Sequence, residues 1–229
     1  MSIVEVVGWP AIEAVLDSID LQSEMKRGFI EYSRGECVIP PVGELLLEEE
    51  PVGEVHIKYG YVRGGKHYVI KIASGFPGNA ARGLPSSNGM MLLFDSRSGS
   101  VSCMLLEEGR LTDIRTAAAG ALAAQTLAAS STAQIGIIGT GTQGRLQLQH
   151  LEAVIGCRDV LVCGRRPEGL RDYCAALAET AFNIKTTTHP RDVAESCDLI
   201  ITTTPAREPL LLKEWIGPGT TLVAIGSDT

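Results

Sequence analysis

The segment from Gln134 to Arg166 limits the possible folds more than any other part of the chain. An apolar run at 134–138 leads into Gly139-Thr140-Gly141-Thr142-Gln143-Gly144, a helical pattern follows, and a second apolar run at 159–163 ends in Arg165 and Arg166. A bare GxGxxG carries little weight in a chain with 25 glycines. Its flanks give it meaning. A strand before the glycines and an amphipathic helix after them are what a mononucleotide-binding βαβ unit requires. Leu146, Leu148, Leu151 and Val154 are expected to face inward, and Arg145, Gln147, Gln149 and Glu152 outward. In such a unit Gly139 permits the tight turn, Gly141 lets the backbone approach a pyrophosphate, and Gly144 lets the helix pack on the strand. The pyrophosphate sits on N–H groups at the helix N-terminus. The competing reading is a glycine-rich βα turn without a ligand.

The end of the second strand bears on which dinucleotide is bound. An acidic residue there accepts hydrogen bonds from the ribose 2′-OH of NAD, whereas arginine accommodates the extra phosphate of NADP. Here Cys163-Gly164-Arg165-Arg166 offers two guanidinium groups and no carboxylate before Glu168. NADP(H) is therefore favoured, with NAD(H) possible; two solvated loop arginines are the plainer alternative.

From residue 133 onward strands alternate with helices: strands at 134–138, 159–163, 184–188, 198–203 and 221–225, helices from 143 and at 168–181 and 192–196. That alternation predicts an α/β Rossmann domain with a parallel sheet, and apolar strands such as Leu199-Ile200-Ile201 fit a sheet covered on both faces. The first part is patterned differently. A helix is expected over 9–32, then strands at 43–47, 54–59, 67–73, 90–94 and 101–106, the last two joined as a hairpin by Asp95-Ser96-Arg97-Ser98-Gly99. Ser130-Ser131-Thr132 separates the halves. The expected domains are an α+β substrate-binding and dimerisation domain at 1–130, with a mostly antiparallel sheet, and a dinucleotide domain at 131–229.

A net charge of −7 argues against nucleic acid or an anionic membrane as the main partner. Met1-Ser2-Ile3-Val4-Glu5-Val6 lacks the basic and apolar regions of a signal peptide, and no apolar stretch is long enough to span a bilayer. Six scattered cysteines without a CxxC suggest neither a zinc site nor a disulfide framework. A reduced, cytoplasmic protein without metal is expected.

Five segments in order, Tyr68-Val-Ile-Lys71-Ile-Ala-Ser, Gly83-Leu-Pro-Ser-Ser-Asn88-Gly, Leu111-Thr-Asp-Ile-Arg115-Thr-Ala-Ala-Ala-Gly, Gly139-Thr-Gly-Thr-Gln-Gly-Arg145-Leu-Gln-Leu and Gly226-Ser-Asp228-Thr, resemble the ornithine cyclodeaminase/mu-crystallin family. The resemblance covers nearly the whole chain. It implies a homodimer that pairs through the sheets of the first domains, a Rossmann domain, and hydride transfer at the α-carbon of a small amino or imino acid. Cyclodeaminases, ketimine and pyrroline-carboxylate reductases, amino-acid dehydrogenases and mu-crystallin all belong to that family.

By the same resemblance Arg115 binds the substrate carboxylate with Lys71 beside it, Ser86 contacts substrate, Asp228 transfers the proton, and Thr202 and Thr203 face the cofactor ribose. Each has a plainer reading from the residues alone. Lys71 could be a lysine on the wet face of a strand, Arg115 a helix-start arginine paired with Asp113, Ser86 and Asp228 turn residues, and the threonines strand formers.

The chain also departs from the family pattern. Ile39-Pro40-Pro41-Val42 has no arginine before the first sheet strand, and Lys58 is a candidate replacement. Glu54 and His56 are the nearest counterparts of a cyclodeaminase glutamate. Loss of that glutamate points toward a reductase or dehydrogenase. Family members continue past the aspartate motif, whereas this sequence stops at Thr229, so a Rossmann sheet incomplete at its C-terminal end, with low stability and little activity, is the expectation. A ligand-binding protein without turnover, or an inactive truncated relative, are the alternatives.

Overall fold

The computed structural model describes residues 4–226, with every side chain except that of Ala80. Packing divides the chain into two compact units, Met1–Thr112 and Asp113–Thr229.

The first unit is built on a seven-stranded mixed sheet. Its strands are β1 (Glu5–Gly8), β2 (Cys37–Val38), β3 (Gly43–Leu47), β4 (Gly53–Val62), β5 (His67–Gly75), β6 (Ser87–Asp95) and β7 (Val101–Leu106), in the order β1-β7-β6-β5-β4-β2 with β3 also on β4. The expected hairpin joins β6 to β7: Asp95 Oδ1 accepts the N–H groups of Arg97 (3.1 Å) and Ser98 (2.7 Å), which folds the turn. Strand β1, parallel to β7, was not expected from sequence, because Val4-Glu5-Val6-Val7 is too short a run to stand out.

The helix expected over 9–32 is two helices, α1 (Trp9–Leu16) and α2 (Leu21–Ser33). Asp20 makes the break. Its carboxylate accepts the Ser23 N–H (3.1 Å) and the Ser23 hydroxyl (2.6 Å), an N-cap that starts a new helix instead of continuing the old one.

Register gives the sheet two unlike faces. Ile57, Ile72 and Met90 form one cross-strand row and Tyr59, Ile70, Leu92, Met104 and Val6 the next. The opposite face carries the rows Lys58-Lys71-Met91-Leu105-Val7 and Glu44-His56-Ala73-Gly89. Alternation within Tyr68-Val69-Ile70-Lys71-Ile72 is thus the period of a sheet with one apolar and one mixed face.

The second unit holds five parallel strands, β8 (Ile135–Ile138), β9 (Asp159–Cys163), β10 (Asn183–Thr187), β11 (Leu199–Thr202) and β12 (Thr221–Ala224), in the order β10-β9-β8-β11-β12. Numbered within the unit this is 3-2-1-4-5, a Rossmann order. The helices are α3 (Arg110–Leu127), whose first turn contains the division between the units, α4 (Thr142–Leu151), α5 (Pro167–Ala176) and α6 (Pro190–Ser196). On one face of the sheet Ile135, Ile137, Val160, Val162, Leu199 and Ile201 pack with Leu148, Leu151, Leu170, Tyr173, Ala121 and Ala124. On the other, Ile138, Cys163 and Ile200 pack with Val193 and Cys197. Both faces are covered.

This packing explains why the units divide at 112/113, ahead of the polar break near 130. Ala117, Ala118, Ala121 and Ala124 of α3 are all buried, and Ala121 and Ala124 lie in the core formed by the parallel strands. One expected orientation is corrected: Gln147 is fully buried instead of outward, and Leu146 is only half-buried.

Candidate functional site

In the second unit the glycine turn lies between β8 and α4. Gly139 has φ +117°, where a side chain would be strained. A Cβ on Gly144 would come 2.3 Å from the Gly139 carbonyl, so only glycine lets the helix start this close to the strand end. The first intrahelical bond of α4 runs from Arg145 N to Gly141 O (3.2 Å), and no side chain caps the helix. The N–H groups of Thr142, Gln143 and Gly144 therefore precede the helical ladder and suit an anion. A Cβ added at Gly141 meets nothing within 4 Å, which is the open approach that a pyrophosphate requires. These residues fit a dinucleotide.

The remaining second-unit candidates divide between the turn's surroundings and α3. Thr140 packs on the loop after β9 and on the start of α5: added Cβ atoms at Gly164 and Gly169 would come 2.7 and 3.2 Å from its side chain. Thr142 opens α4 and is exposed. Arg165 and Arg166 follow β9 and are exposed, and among the described residues neither makes a side-chain hydrogen bond or salt bridge. The Thr203 hydroxyl donates to the Ile138 carbonyl (3.1 Å), so it ties the end of β11 to that of β8. Thr202 ends β11, and its carbonyl accepts the N–H groups of Ile225 (2.9 Å) and Gly226 (3.1 Å).

Arg115 lies in the second unit, on α3, and is exposed. Desolvation draws its pKa down while the charge of Asp113 opposes that shift; the guanidinium stays charged regardless. The Gln143 side chain turns away from the glycine loop and donates to Asp113.

In the first unit Lys71 is half-buried, and its Nζ donates to Thr112 Oγ1 (2.9 Å). Its cross-strand neighbours are Lys58 and Met91. Glu107, fully buried, accepts the Leu111 N–H through Oε2 (2.8 Å) and so anchors the start of α3 just ahead of Thr112. Its other oxygen lies over Gly89, where a Cβ would come within 2.4 Å. His56 Nε2 is 3.6 Å from Glu54 Oε2 and His56 Nδ1 is 4.0 Å from Glu44 Oε1. Ser86 is exposed and its carbonyl accepts the Phe76 N–H (2.7 Å). Asp228 lies outside the described residues.

Sequence reasoning missed Thr112, Glu107 and Gln147. Glu107 four residues before Leu111 at a helix start was a readable capping signal, and Gln143 with Gln147 an i, i+4 pair. Nothing in the sequence marked Thr112. Among the described residues no cluster of three or more His, Cys, Asp or Glu could hold a metal ion, and no helix is long and apolar enough to cross a membrane.

A 3-2-1-4-5 parallel sheet with an uncapped glycine turn at its central crossover defines a Rossmann-type protein of the dinucleotide-binding class. More narrowly, residues 7–229 match the model of the ornithine cyclodeaminase/mu-crystallin family, and the chain belongs to that family. A Rhizobium meliloti protein with only a provisional dehydrogenase name is 42% identical over 193 residues, 83% of this chain and 58% of that one. The Delta(1)-pyrroline-2-carboxylate reductase of Paracoccus denitrificans is 30% identical over 178 residues, 77% of this chain and 56% of that one. Among solved structures, the Thermococcus litoralis Delta(1)-pyrroline-2-carboxylate reductase in complex with NADH and L-proline superposes with a TM-score of 0.88 at 27% identity, over 96% of this chain and 68% of that one. The chain spans less than two thirds of the length of the two sequence relatives named.

Proposed function

We propose that this chain belongs to an NAD(P)-dependent reductase of small cyclic or open-chain imino acids, with the amino acid as product. The glycine turn of the second unit carries the proposal, because its N–H groups and open Gly141 face suit a pyrophosphate. Bound there, the nicotinamide would supply the hydride to the C=N carbon. Gly139, Thr140, Gly141, Thr142 and the Gln143 N–H are the residues proposed to hold the dinucleotide. Arg165 and Arg166 are exposed cations suited to a 2′-phosphate, so NADP(H) is favoured over NAD(H). Thr202 and Thr203 would line the ribose through their backbone, since the Thr203 hydroxyl is already bonded to Ile138.

Substrate binding falls to Arg115 and Lys71 as cations for the α-carboxylate, with Ser86 as a further hydroxyl contact. The Thr112 hydroxyl accepts a hydrogen bond from the Lys71 ammonium and helps to fix its position. Asp228 is proposed, from the sequence alone, to deliver the proton that the product nitrogen gains as its carbon receives hydride.

Lys58 supports reductase over cyclodeaminase. It stands directly across from Lys71 on the same sheet face. A second cation there repels the side-chain ammonium of a diamino acid, which disfavours ornithine and the lyase reaction. Consumption of added NADPH or NADH on Delta(1)-pyrroline-2-carboxylate tests the reading. Ammonia release from ornithine without net dinucleotide consumption would overturn it in favour of the lyase, and dinucleotide binding without turnover would favour a ligand-binding protein.

A homodimer is part of the proposal. The sheet face that carries Ile57 (39% exposed), Tyr59 (43%) and Leu45 (55%) is too apolar to stay in water, and a second copy of the face would cover it. A cytoplasmic setting accords with cysteines that are all free thiols.

A further inference from the structure

Helix α4 does more than present the glycine turn. Gln147 Nε2 donates to Gln143 Oε1 (3.3 Å) and to the Thr116 carbonyl (3.1 Å). Gln143 Nε2 in turn donates to Asp113 Oδ1 (3.0 Å) and to the Asp113 carbonyl (3.1 Å). Two amides one helical turn apart thus grip α3 on both sides of Arg115, at Asp113 and at Thr116. Gln147 is fully buried and rests on Gly120, where a Cβ would come 2.0 Å from its Oε1. Among the described residues Gln147 Oε1 has no hydrogen-bond partner, so the hold on α3 runs through the two Nε2 groups, whose loss would leave the half-buried Thr116 and Asp113 acceptors without these donors.

Gln143 stands at the meeting point. Its backbone N–H is in the anion-binding first turn of α4, while its side chain holds Asp113, two residues from the arginine proposed to bind substrate. All of these groups lie in the second unit.

We propose that Gln143 is a positioning residue that couples the two ligands: a dinucleotide fixing the first turn of α4 also fixes, through the Gln143 amide and Asp113, the α3 segment that carries Arg115. Cofactor binding would then raise affinity for the carboxylate substrate, and the substrate would raise affinity for cofactor by the same factor. The identity of the two ligands rests on the imino-acid reductase reading; the mechanical link does not.

Hydrogen–deuterium exchange on the purified protein, with and without saturating NADH, reads the link without turnover. In the wild type, NADH is expected to slow exchange of the amides at 114–118. Gln143→Leu keeps the backbone N–H and the side chain's bulk but removes the amide; it should still bind NADH and lose that protection. Gln143→Glu sets a second carboxylate against Asp113. Its protection should be absent at pH 8 and return on acidification, as the protonated acid regains a donor, which a merely structural role would not produce. Where turnover is measured, either variant should raise substrate KM roughly five- to tenfold, the ordinary range of such couplings, with a smaller change in kcat. Protection retained in Gln143→Leu, or NADH binding to the wild type without protection at 114–118, overturns the proposal. A wild type that binds NADH, gains the protection and reduces no imino acid overturns the reductase reading and leaves the coupling standing.

Discussion

The two units bury their apolar residues in opposite ways. In the second unit both faces of a parallel sheet are sealed, and Ile135, Ile137, Leu199, Ile200 and Ile201 have no accessible surface. In the first, Trp9 and Ile12 are the only buried apolar side chains among the described residues, and neither is sealed completely, while Val6 is 59% exposed and Tyr59 43%. Crossover helices account for the difference. A βαβ chain must return over its own sheet and so covers it, whereas antiparallel strands joined by turns leave a face open for something else to cover. The second unit is therefore organised around its own core, whereas the first leaves an apolar sheet face exposed.

The contrast is broken most directly by truncating one residue in each unit. Ile137→Ala should cost about 2–5 kcal/mol, the usual cost of a large-to-small change in a closed core, whereas Ile57→Ala should cost under about 1 kcal/mol in dilute monomer. Denaturant unfolding measures both. Equal losses would contradict the account of an open first unit.

Association sharpens the same contrast. Tyr59→Lys places a charge in the middle of the apolar face and should convert a dimer to monomers, seen by light scattering, while leaving the unfolding of the second unit unchanged. A variant that stays dimeric would move the interface elsewhere.

The open face was legible in part. Alternation in Tyr68-Val69-Ile70-Lys71-Ile72 announced a two-faced strand, but which rows align depends on register, and register is set by turns and a bulge at Leu93/Phe94 that no local pattern records. The second unit was far more readable, because near-continuous apolar strands and a glycine turn are local signals. Its one clear misreading, Gln147 as a solvent-facing residue, came from the partner helix: Gly120, far away in sequence, makes room for a buried amide. The break at Asp20 was missed for the opposite reason, since apolar spacing continued through a residue that caps. Among candidate site residues, the glycine turn was visible as a local pattern, and Lys71 and Arg115 were named through the family resemblance and stand as proposals, whereas the Lys71–Thr112 bond depends on a long-range approach that sequence spacing does not reveal.

A third effect is confined to the second unit. Burial, above all, pushes the Cys163 and Cys197 thiols from 9.0 up to about 11. The unfolded chain gives up those protons at lower pH than the folded one, so their contribution to stability is whole below about pH 9 and is lost as pH rises toward 11. The free energy of unfolding should fall across that window, by on the order of 1.4 kcal/mol for each unit of pKa displacement per thiol, and the melting temperature with it. A Cys163→Ala/Cys197→Ala variant should show a shallower fall; an identical fall would assign it to other groups.

The smallest effect concerns cofactor choice. Arg165→Ala with Arg166→Ala should weaken NADPH binding roughly tenfold and NADH binding little, as expected on losing charge-assisted bonds to one phosphate. Equal weakening of both would place the arginines elsewhere on the dinucleotide.

The central claim is that the glycine turn of the second unit binds a dinucleotide, and calorimetric titration of wild type and Gly141→Val with NADPH and NADH tests it directly. At φ −78° Gly141 has an ordinary backbone, and an added Cβ meets no protein atom within 4 Å, so the variant should fold and melt like the wild type. The account predicts saturable binding to the wild type and binding at least about tenfold weaker in the variant, because the new side chain occupies the pyrophosphate's approach. Absence of binding to the wild type, or equal affinity in both proteins, would contradict it.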